Sequence, residues 1–336
     1  MCGRTACTLA PDEVRRASSY RDRRGRRRRP RWRDGDSDKY QPSYNKSPQS
    51  MSPVLLSQRH FNKEAPADKC VLALMRWGLV PAWFKENDPG KMQYNTSNCR
   101  SENIMEKKSY KFAMQKGQRC VILADGFYEW RKEENKRQPF FIYFPQTPKE
   151  KTKDHDNPAK QREEGDEACV WSGWRLLTMA GLFDCWTPPD GGEPLYSYSI
   201  ITVNAAPNLQ NIHHRMPAVL DGEEEVRKWL DFGEVKGLDA VKLLQSRDTL
   251  TFHPVSTLVN NTRNNNSECL QPVDLTIRKE AKPTASSKMM TSWLKSSSPS
   301  KRKRTEEEQE TKTESQKKRT GLQQWLKGSD KKPRTQ

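Results

Sequence analysis

"RCVILADGFYEW" (residues 119–130) is the stretch that decides the fold, because an apolar run ends within it at Asp-Gly. Runs rich in Val, Ile, Tyr and Phe and bounded by Gly, Pro, Asp or Asn are typical of β-strands. The same pattern recurs along the chain and predicts further strands within residues 71–80, 139–144, 174–186, 195–203 and 249–255. The core is therefore predicted to consist mainly of strands.

Two segments are predicted to be helices. "PDEVRRASSY" (11–20) places Pro11 in a first turn, and "GEEEVRKWLDF" (222–232) has acidic residues first and basic residues later. The strands outnumber the helices and do not alternate with them. This pattern favours an α+β fold with mixed or antiparallel sheets and peripheral helices over a doubly wound fold.

Three segments are too polar to form a core. Residues 145–167 have almost no apolar side chains and predict an insertion loop. The arginine-rich stretch 21–33 predicts an exposed loop whose arginines contact phosphate. Ser, Lys, Glu, Thr and Gln dominate residues 278–336, so we predict a disordered tail after a folded domain of residues 2–277.

The charge of the chain indicates a polyanionic partner. The 336 residues carry a net charge of +17, which suggests nucleic acid. The tail alone has 17 Lys and Arg against 7 Asp and Glu, so basic tail residues account for part of this excess. Charge alone leaves both interpretations open.

The cysteines and the hydropathy exclude several classes of protein. Eight widely spaced cysteines without a Cys-x-x-Cys pair argue against a disulfide scaffold or a zinc ribbon, and we predict neither a metal nor another cofactor. There is no apolar run long enough to span a bilayer, so we predict no membrane association. A nuclear or cytosolic protein with reduced thiols is the expectation.

The tail contains two short motifs that suggest partners. "KRKR" (301–304) is either a nuclear-import signal or ordinary tail basicity. "MTSWLK" (290–295) and "LQQWLK" (322–327) both place an apolar residue three positions before Trp-Leu, the spacing of a short helix that docks in a groove. Trp293 with Leu294, or Trp325 with Leu326, partly matches the box that binds the replication sliding clamp.

Cys2 is the first candidate for chemistry. If Met1 is removed, Cys2 carries an α-amine and a thiol on adjacent carbons, with ordinary pKa values of roughly 7.7–8.0 and roughly 8.5. Such an amine condenses with an aldehyde to a Schiff base, and the thiol then closes a five-membered thiazolidine ring. An incidental cysteine is the alternative that Cys2 by itself does not exclude.

Other polar residues could assist such a reaction. Glu129 sits among aromatic residues, where desolvation raises the pKa of a carboxyl group toward the range of a general acid or base, although pairing with an arginine is equally compatible. His213 or His214 in "NIHHRMP" (211–217) could transfer protons, and Arg215 could bind phosphate. A paired-histidine metal site would need ligands that the sequence does not supply.

Two further segments suggest contacts with nucleic acid. In "NTSNCRSEN" (95–103), Asn98 could orient an amine and Arg100 could bind phosphate, although the segment also suits a simple turn. "MRWGLVPAWF" (75–84) combines Arg76 with Trp77 and Trp83, a combination that suits stacking on unpaired bases. A packed core strand is the alternative, and it fits Trp77 better than Trp83.

Taken together, "MCGR", "RWGLVPAWF", "NCRSE", "ADGFYEW" and "HHRMPAVL" occur in an order that resembles the SRAP (SOS-response-associated peptidase) family across residues 2–277. The resemblance implies binding of single-stranded DNA with abasic sites, and a thiazolidine crosslink between Cys2 and the ring-opened sugar. It gives Glu129 the role of sensing the site and transferring protons, His213 that of stabilising the sugar and reversing the crosslink, and Asn98 a place beside the cysteine. Positions matching the family's DNA-facing residues are Arg4, Arg76, Trp83, Arg100 and Arg215, and Tyr94 is a base-stacking candidate.

The resemblance also implies biological context. The expected role is to shield abasic sites during replication and repair, in the nucleus and on chromosomes at replication forks. The family is linked to autoproteolytic removal of Met1 and is classed with peptidases, so a lyase-like reaction and a peptidase activity are both expectations. A non-covalent reader of modified cytosine, a chromatin adaptor and a cysteine peptidase acting on other proteins are the alternatives.

Overall fold

The computed structural model describes residues 2–134, 136–146 and 171–276. Its helices are α1 (Pro11–Ala17), α2 (Asp36–Lys39), α3 (Lys108–Gln115), α4 (Glu223–Leu230) and α5 (Gly237–Val241). Its strands are β1 (Thr5–Cys7), β2 (Tyr20–Arg21), β3 (Arg27–Arg28), β4 (Arg31–Trp32), β5 (Ser43–Lys46), β6 (Met51–Ser57), β7 (Cys70–Trp77), β8 (Asn98–Arg100), β9 (Arg119–Ala124), β10 (Gly126–Lys132), β11 (Arg137–Tyr143), β12 (Leu177–Trp186), β13 (Leu195–Asn204), β14 (Arg215–Pro217) and β15 (Thr251–Pro254).

The larger sheet closes on itself. Its strand order is β14-β13-β12-β9-β6-β7-β4, and β13 also pairs in parallel with β7. The five strands β7, β6, β9, β12 and β13 therefore form a complete ring, in which every strand has two neighbours. Tyr198 and Trp77, paired across the closing edge, are almost completely buried and stack with their ring centroids 6.3 Å apart. Closure satisfies the backbone groups that an open sheet edge would expose.

The smaller sheet runs in the order β15-β11-β10-β1-β5, with antiparallel pairs throughout. The stretch 119–132 joins the two sheets, because β9 belongs to the larger sheet and β10 to the smaller one. Asp125, between them, is buried and accepts two hydrogen bonds from Thr8, from its backbone N–H at 2.9 Å and its hydroxyl at 2.6 Å. This turn fixes where the N-terminal segment lies against β10.

The prediction of an α+β fold with mixed and antiparallel sheets is confirmed. Both predicted helices are present, as α1 and α4, and each predicted strand segment contains a strand. Residues 119–130 contain two strands rather than one, since the chain changes sheets at Asp125.

Several elements were not predicted. β6 contains Pro53, which lacks an N–H, and the pairing of β6 with β9 begins only at Val54. β8 (Asn98–Arg100) and β14 (Arg215–Pro217) are strands of only three residues, and each pairs with β13. The arginine-rich stretch 21–33 is mostly surface-exposed as predicted, but it forms short strands, and several arginines pair with acidic groups of the protein, for example Arg23 with Asp231 at 2.9 Å.

Some sequence predictions lie outside the described residues. These are most of the insertion loop, from residue 147 onward, and the whole tail with "KRKR" and the two Trp-Leu-Lys motifs. In the part of the chain that the structure describes, no helix is long and apolar enough to cross a membrane.

Candidate active site

Cys2 lies at the start of the segment that β10 holds in place. The Tyr128 N–H donates to the Arg4 carbonyl at 2.9 Å, and β1 then pairs with β10 through Thr5 and Phe127. The Cys2 side chain is completely buried. Burial, together with the nearby Glu129 carboxylate, raises the pKa of the Cys2 thiol, so this sulfur is held in the protonated S–H form.

Glu129 approaches the same point from β10. Its side chain is buried, with only 6% of the residue exposed, and burial raises the pKa of its carboxyl group. Its Oε1 lies 4.0 Å from Nε2 of His213. A carboxyl group with a raised pKa beside an imidazole is suited to passing protons near neutral pH.

The ring of His213 is held by the backbone of Arg215. Its Nδ1 lies 3.0 Å from the backbone N–H of Arg215, which donates to it when the ring proton is on Nε2, the nitrogen that faces Glu129, and 3.2 Å from the Arg215 carbonyl, which accepts when Nδ1 carries the proton. Burial lowers the pKa of His213, which favours the neutral ring. The exposed ring of His214 stacks on His213 with the centroids 4.3 Å apart. The histidine that the resemblance singled out is thus the one that faces the carboxylate.

Asn98 approaches from the larger sheet. It opens β8 and pairs with Ile200 of β13. Its Nδ2 donates to the Cys2 carbonyl at 2.7 Å, and the hydroxyl of Tyr110 on α3 donates to the Asn98 carbonyl at 3.2 Å. Asn98 therefore attaches the N-terminal segment to the larger sheet.

Four sequence-predicted residues consequently meet at one place: Cys2, Asn98, Glu129 and His213. They come from the N-terminal segment, β8, β10 and the loop before β14, and both sheets are needed to bring them together. The group contains a thiol, a proton-transfer pair and an amide that fixes the backbone of the cysteine. Among the described residues there is no group of three or more His, Cys, Asp or Glu side chains placed to hold a metal ion.

The predicted DNA-facing residues fall into two sets. Arg100 is exposed at the end of β8, and Arg76 is half-buried, with its Nη1 donating to the Gly78 carbonyl at 3.1 Å. Trp83 is half-buried and Tyr94 is 66% exposed, and both line a cavity of about 510 Å³. The ammonium of Lys108 lies 4.9 Å from the centroid of the Trp83 ring. These residues provide cationic and aromatic groups at the surface.

Arg4 and Arg215 are instead engaged by the protein. The Arg4 Nη1 donates to Asn45 Oδ1 at 2.7 Å and to the Val259 carbonyl at 2.5 Å. Arg215 is only 5% exposed, and its guanidinium binds both carboxylate oxygens of Glu102, at 2.9 and 3.0 Å. That either of these two arginines contacts DNA stays a prediction.

Sequence reasoning missed the residues that hold these arginines. Asn45 donates to the carbonyls of Val259, Asn261 and Asn264 while it accepts from Arg4, so it connects the N-terminal segment to the 257–264 loop. Glu102 lies in "NCRSE", where only Arg100 and Asn98 had been given roles. A charged residue inside a motif was the available signal, but its partner lies 113 positions away.

The fold and the site together define a class of protein: an α+β domain that folds around its own N-terminal segment and brings Cys2 to a carboxylate and an imidazole. The chain belongs to the SOS response associated peptidase (SRAP) family, whose sequence profile matches residues 1–262. The resemblance found in the sequence is thereby confirmed.

Named relatives share most of this chain. The abasic site processing protein HMCES of Xenopus tropicalis is 60% identical over 301 residues, covering 90% of this chain and 87% of that protein. The HMCES protein of Rattus norvegicus is 56% identical over 327 residues, covering 97% and 89%. The abasic site processing protein YoqW of Bacillus subtilis (strain 168) is 30% identical over 234 residues, covering 69% and 87%.

Solved structures agree with the fold. The crystal structure of a protein from Bacteroides thetaiotaomicron superposes with a TM-score of 0.58 at 22% identity, covering 81% of this chain and 100% of that one. A protein from Bordetella bronchiseptica gives 0.54 at 20% identity, covering 76% and 100%. These likenesses concern the fold alone.

Proposed function

We propose that this protein captures abasic sites in single-stranded DNA by forming a covalent thiazolidine at Cys2. The observation that carries the proposal is the convergence of Cys2, Asn98, Glu129 and His213 from four separate parts of the fold. An abasic site is a masked aldehyde on a polyanion. Its capture needs an amine with a neighbouring thiol, a proton-transfer group and contacts to the DNA strand.

Removal of Met1 comes first. While Met1 is attached, the nitrogen of Cys2 is an amide, which does not condense with an aldehyde. Hydrolysis of the Met1–Cys2 peptide bond consumes one water and frees the α-amine. Glu129 is close enough to Cys2 to affect the thiol pKa, so it is our candidate for assisting this cleavage if the protein performs it on itself.

The amine reacts before the thiol. Burial keeps the Cys2 sulfur protonated, so thiolate is scarce, whereas an α-amine has an ordinary pKa of roughly 7.7–8.0 and is partly free base near neutrality. Opening of the sugar ring exposes the C1′ aldehyde, and the amine adds to it. Loss of one water from the carbinolamine gives the imine, and the water leaves with a proton that Glu129 supplies from its protonated form.

Ring closure then uses the thiol. The sulfur adds to the imine carbon as its proton leaves, and a C–S bond forms while the C=N double bond becomes single. In our proposal the imine nitrogen still carries its proton once the water has left, and Glu129, now a carboxylate, takes the thiol proton and returns to its acid form, so the ring nitrogen ends as a neutral N–H. His213, whose Nε2–H faces Glu129, stabilises the carboxylate during this exchange.

The surrounding surface would hold the DNA strand. Arg100 and Arg76 are candidates for phosphate contacts, and Trp83 and Tyr94 offer faces on which unpaired bases stack. Lys108, above the Trp83 ring, adds positive charge to the same surface. The relatives are named abasic site processing proteins, which supports this substrate class.

A gel assay tests the proposal. Purified protein incubated with an abasic single-stranded oligonucleotide should give an adduct that survives heat and denaturant, and Cys2→Ala should give none. Cys7→Ala is the matched control, because Cys7 is an equally buried cysteine of the same segment and should leave the adduct intact. Crosslinking by Cys2→Ala as efficient as that of the unaltered protein would refute the proposal.

Reduction with borohydride distinguishes formation of the Schiff base from closure of the thiazolidine ring. Cys2→Ala still exposes an α-amine once Met1 is removed, so borohydride should trap its Schiff base with the abasic sugar. Without borohydride the same variant should stay free of adduct. If Cys2→Ala gave as much adduct without borohydride as with it, the thiol would have no part in the linkage.

Intact mass of the N-terminus decides how Met1 leaves. Protein purified after expression with Glu129→Gln should retain Met1 if the cleavage is a self-reaction, and should lose it if an aminopeptidase acts. A peptidase acting on other proteins would instead turn over an added peptide, and a non-covalent reader of modified cytosine would show base-selective binding that survives Cys2→Ala.

We also propose a cellular setting for this activity. Shielding of abasic sites would take place in the nucleus, on chromosomes at replication forks, with the sliding clamp recruiting the tail through Trp293 and Leu294 or Trp325 and Leu326. Deletion of residues 278–336 should leave crosslinking in vitro unchanged. Clamp binding by a peptide covering 286–298 or 318–330, measured by calorimetry, tests the partner.

A further inference from the structure

We propose that Glu102 and Arg215 form a clasp that positions His213 relative to the strand carrying Asn98, an inference that rests on the proposed function. The clasp is defined as this ion pair together with its contacts on β13. Among the contacts of the described residues, none joins Glu102 or Arg215 to Cys2 or Glu129. The pair therefore has a positioning role.

The clasp bridges two strands that meet on β13. β8 pairs with β13 through Asn98 and Ile200, and β14 pairs with the same strand through Arg215 and Asn204. The strand that begins with Asn98 and the strand that follows His213 are therefore both positioned by β13. Each of these strands is three residues long, so a few backbone hydrogen bonds alone hold it in register.

The side chain of Arg215 reaches across this junction. Its guanidinium donates to the Thr202 carbonyl at 2.6 Å and to Asn204 Oδ1 at 2.8 Å on β13. It also forms a two-pronged pair with the carboxylate of Glu102, which follows β8 by two residues. A two-pronged arginine–carboxylate pair fixes orientation as well as distance.

The same residue fixes the histidine. The backbone N–H of Arg215 lies 3.0 Å from Nδ1 of His213, and in our proposal its donation to that nitrogen keeps the ring proton on Nε2, the nitrogen that faces Glu129. A shift of Arg215 would therefore move the partner of the ring, and with it the orientation of Nε2–H. On the opposite side, Asn98 holds the Cys2 carbonyl. The clasp links the group that holds the cysteine to the group that holds the histidine.

The competing role for Arg215 is phosphate binding, and the two roles predict opposite effects of one substitution. Glu102→Gln preserves shape and removes the carboxylate charge. If the pair is a clasp, the substitution loosens the site. If Arg215 serves to bind phosphate, the substitution frees the guanidinium and strengthens binding to DNA.

The test measures single-turnover crosslinking and DNA affinity on the full chain. We expect Glu102→Gln to lower the crosslinking rate at saturating abasic oligonucleotide by roughly tenfold or more, since small misplacements of reacting groups have effects of this order. The Kd for an undamaged oligonucleotide should stay within about threefold, well below the effect on the rate. Glu106→Gln, an exposed glutamate of the same segment, is the matched control and should leave both values unchanged.

A second readout follows His213 itself. Long-range ¹H–¹⁵N spectra should show a single Nε2–H tautomer for His213 in the unaltered protein, with the signals assigned by their loss in His213→Asn. Glu102→Gln and Arg215→Lys should both shift these signals toward a mixture of tautomers, because lysine keeps the charge but not the two-pronged geometry. A purely global loss of stability would reduce the folded fraction without changing the tautomer of the folded protein.

The outcomes separate the two proposals. If Glu102→Gln crosslinks at the unaltered rate with unaltered His213 signals, or binds undamaged DNA more tightly, the clasp is refuted while the capture of abasic sites stands. If the unaltered protein forms no adduct, the proposed function fails, and the His213 spectra alone decide whether the clasp orients the ring.

Discussion

Replacement of Asp125 by asparagine should remove a pH dependence from the stability of this protein. Asp125 sits at the turn between the two sheets, is 2% exposed, and accepts both the N–H and the hydroxyl of Thr8 through one oxygen. Burial raises the pKa of its carboxyl group from the ordinary 3.8 to about 6, with the Thr8 hydrogen bonds opposing the rise. Between these two values the folded state binds more protons than the unfolded state.

The sign and the magnitude follow from proton linkage. Since the pKa is raised on folding, the contribution of Asp125 is fully present below pH 3.8 and is lost as the pH rises through about 6. A shift of about two units corresponds to about 3 kcal/mol in the free energy of unfolding. Part of this is already lost at pH 4, so the free energy of unfolding of Asp125→Asn should gain about 2 kcal/mol relative to the unaltered protein between pH 4 and pH 7.

Urea denaturation at several pH values between 4 and 7, followed by tryptophan fluorescence, measures this difference. Thr8→Val is the companion variant: it removes the hydroxyl that stabilises the carboxylate, so the pKa of Asp125 should rise further and the pH-dependent loss should extend above pH 6. If the difference between Asp125→Asn and the unaltered protein is the same at pH 4 and pH 7, Asp125 does not titrate as described.

Three further outcomes are expected. Glu129→Gln protein from which Met1 has been removed should crosslink roughly a hundredfold more slowly, the usual loss on removing a general acid or base, with affinity for undamaged DNA preserved. Equal rates on quenched gels would contradict the role. Trp83→Ala should weaken binding of undamaged single strands about tenfold or more, as expected for the loss of one stacked base, and fluorescence anisotropy measures this. Phe252, an exposed aromatic residue on β15, is the control, and Phe252→Ala should leave binding unchanged. Gly126→Ala should lower the free energy of unfolding, measured in urea, by about 1–3 kcal/mol or more, because a Cβ there would collide with the Ile142 carbonyl oxygen and the Phe141 ring. Unchanged stability would show that β10 and β11 can separate without cost.

The fold could be predicted where the sequence contains long apolar runs. The runs that became β9, β12 and β13 are long and bounded by turn residues, so their strand character is visible without tertiary information. β6 escaped detection because Pro53 normally argues against a central strand, and here it lies just before the pairing with β9 begins. The sequence did not predict β8, because three residues, two of them polar, have little strand propensity. They form a strand only because they pair with β13.

The site could be predicted as a set of residues but not as an arrangement. Motif resemblance named Cys2, Asn98, Glu129 and His213. The contacts that join them connect positions far apart in the chain, such as Asn98 and Cys2, which are 96 residues apart. Whether an arginine faces inward also depends on partners that are distant in the sequence. The sequence therefore suggests phosphate binding for Arg215, and only the structure shows Glu102 beside it.

The central claim, that Cys2 captures the aldehyde through both its amine and its thiol, is tested most directly by intact-mass spectrometry of the protein with and without abasic single-stranded DNA. We expect free protein that lacks Met1, and an adduct whose mass is that of protein plus DNA less one water, stable without borohydride. A variant with one extra residue ahead of Cys2 should give no adduct, because its cysteine nitrogen is an amide. A stable adduct formed by that extended variant, or by protein that retains Met1, would show that the α-amine of Cys2 is not the group that captures the aldehyde.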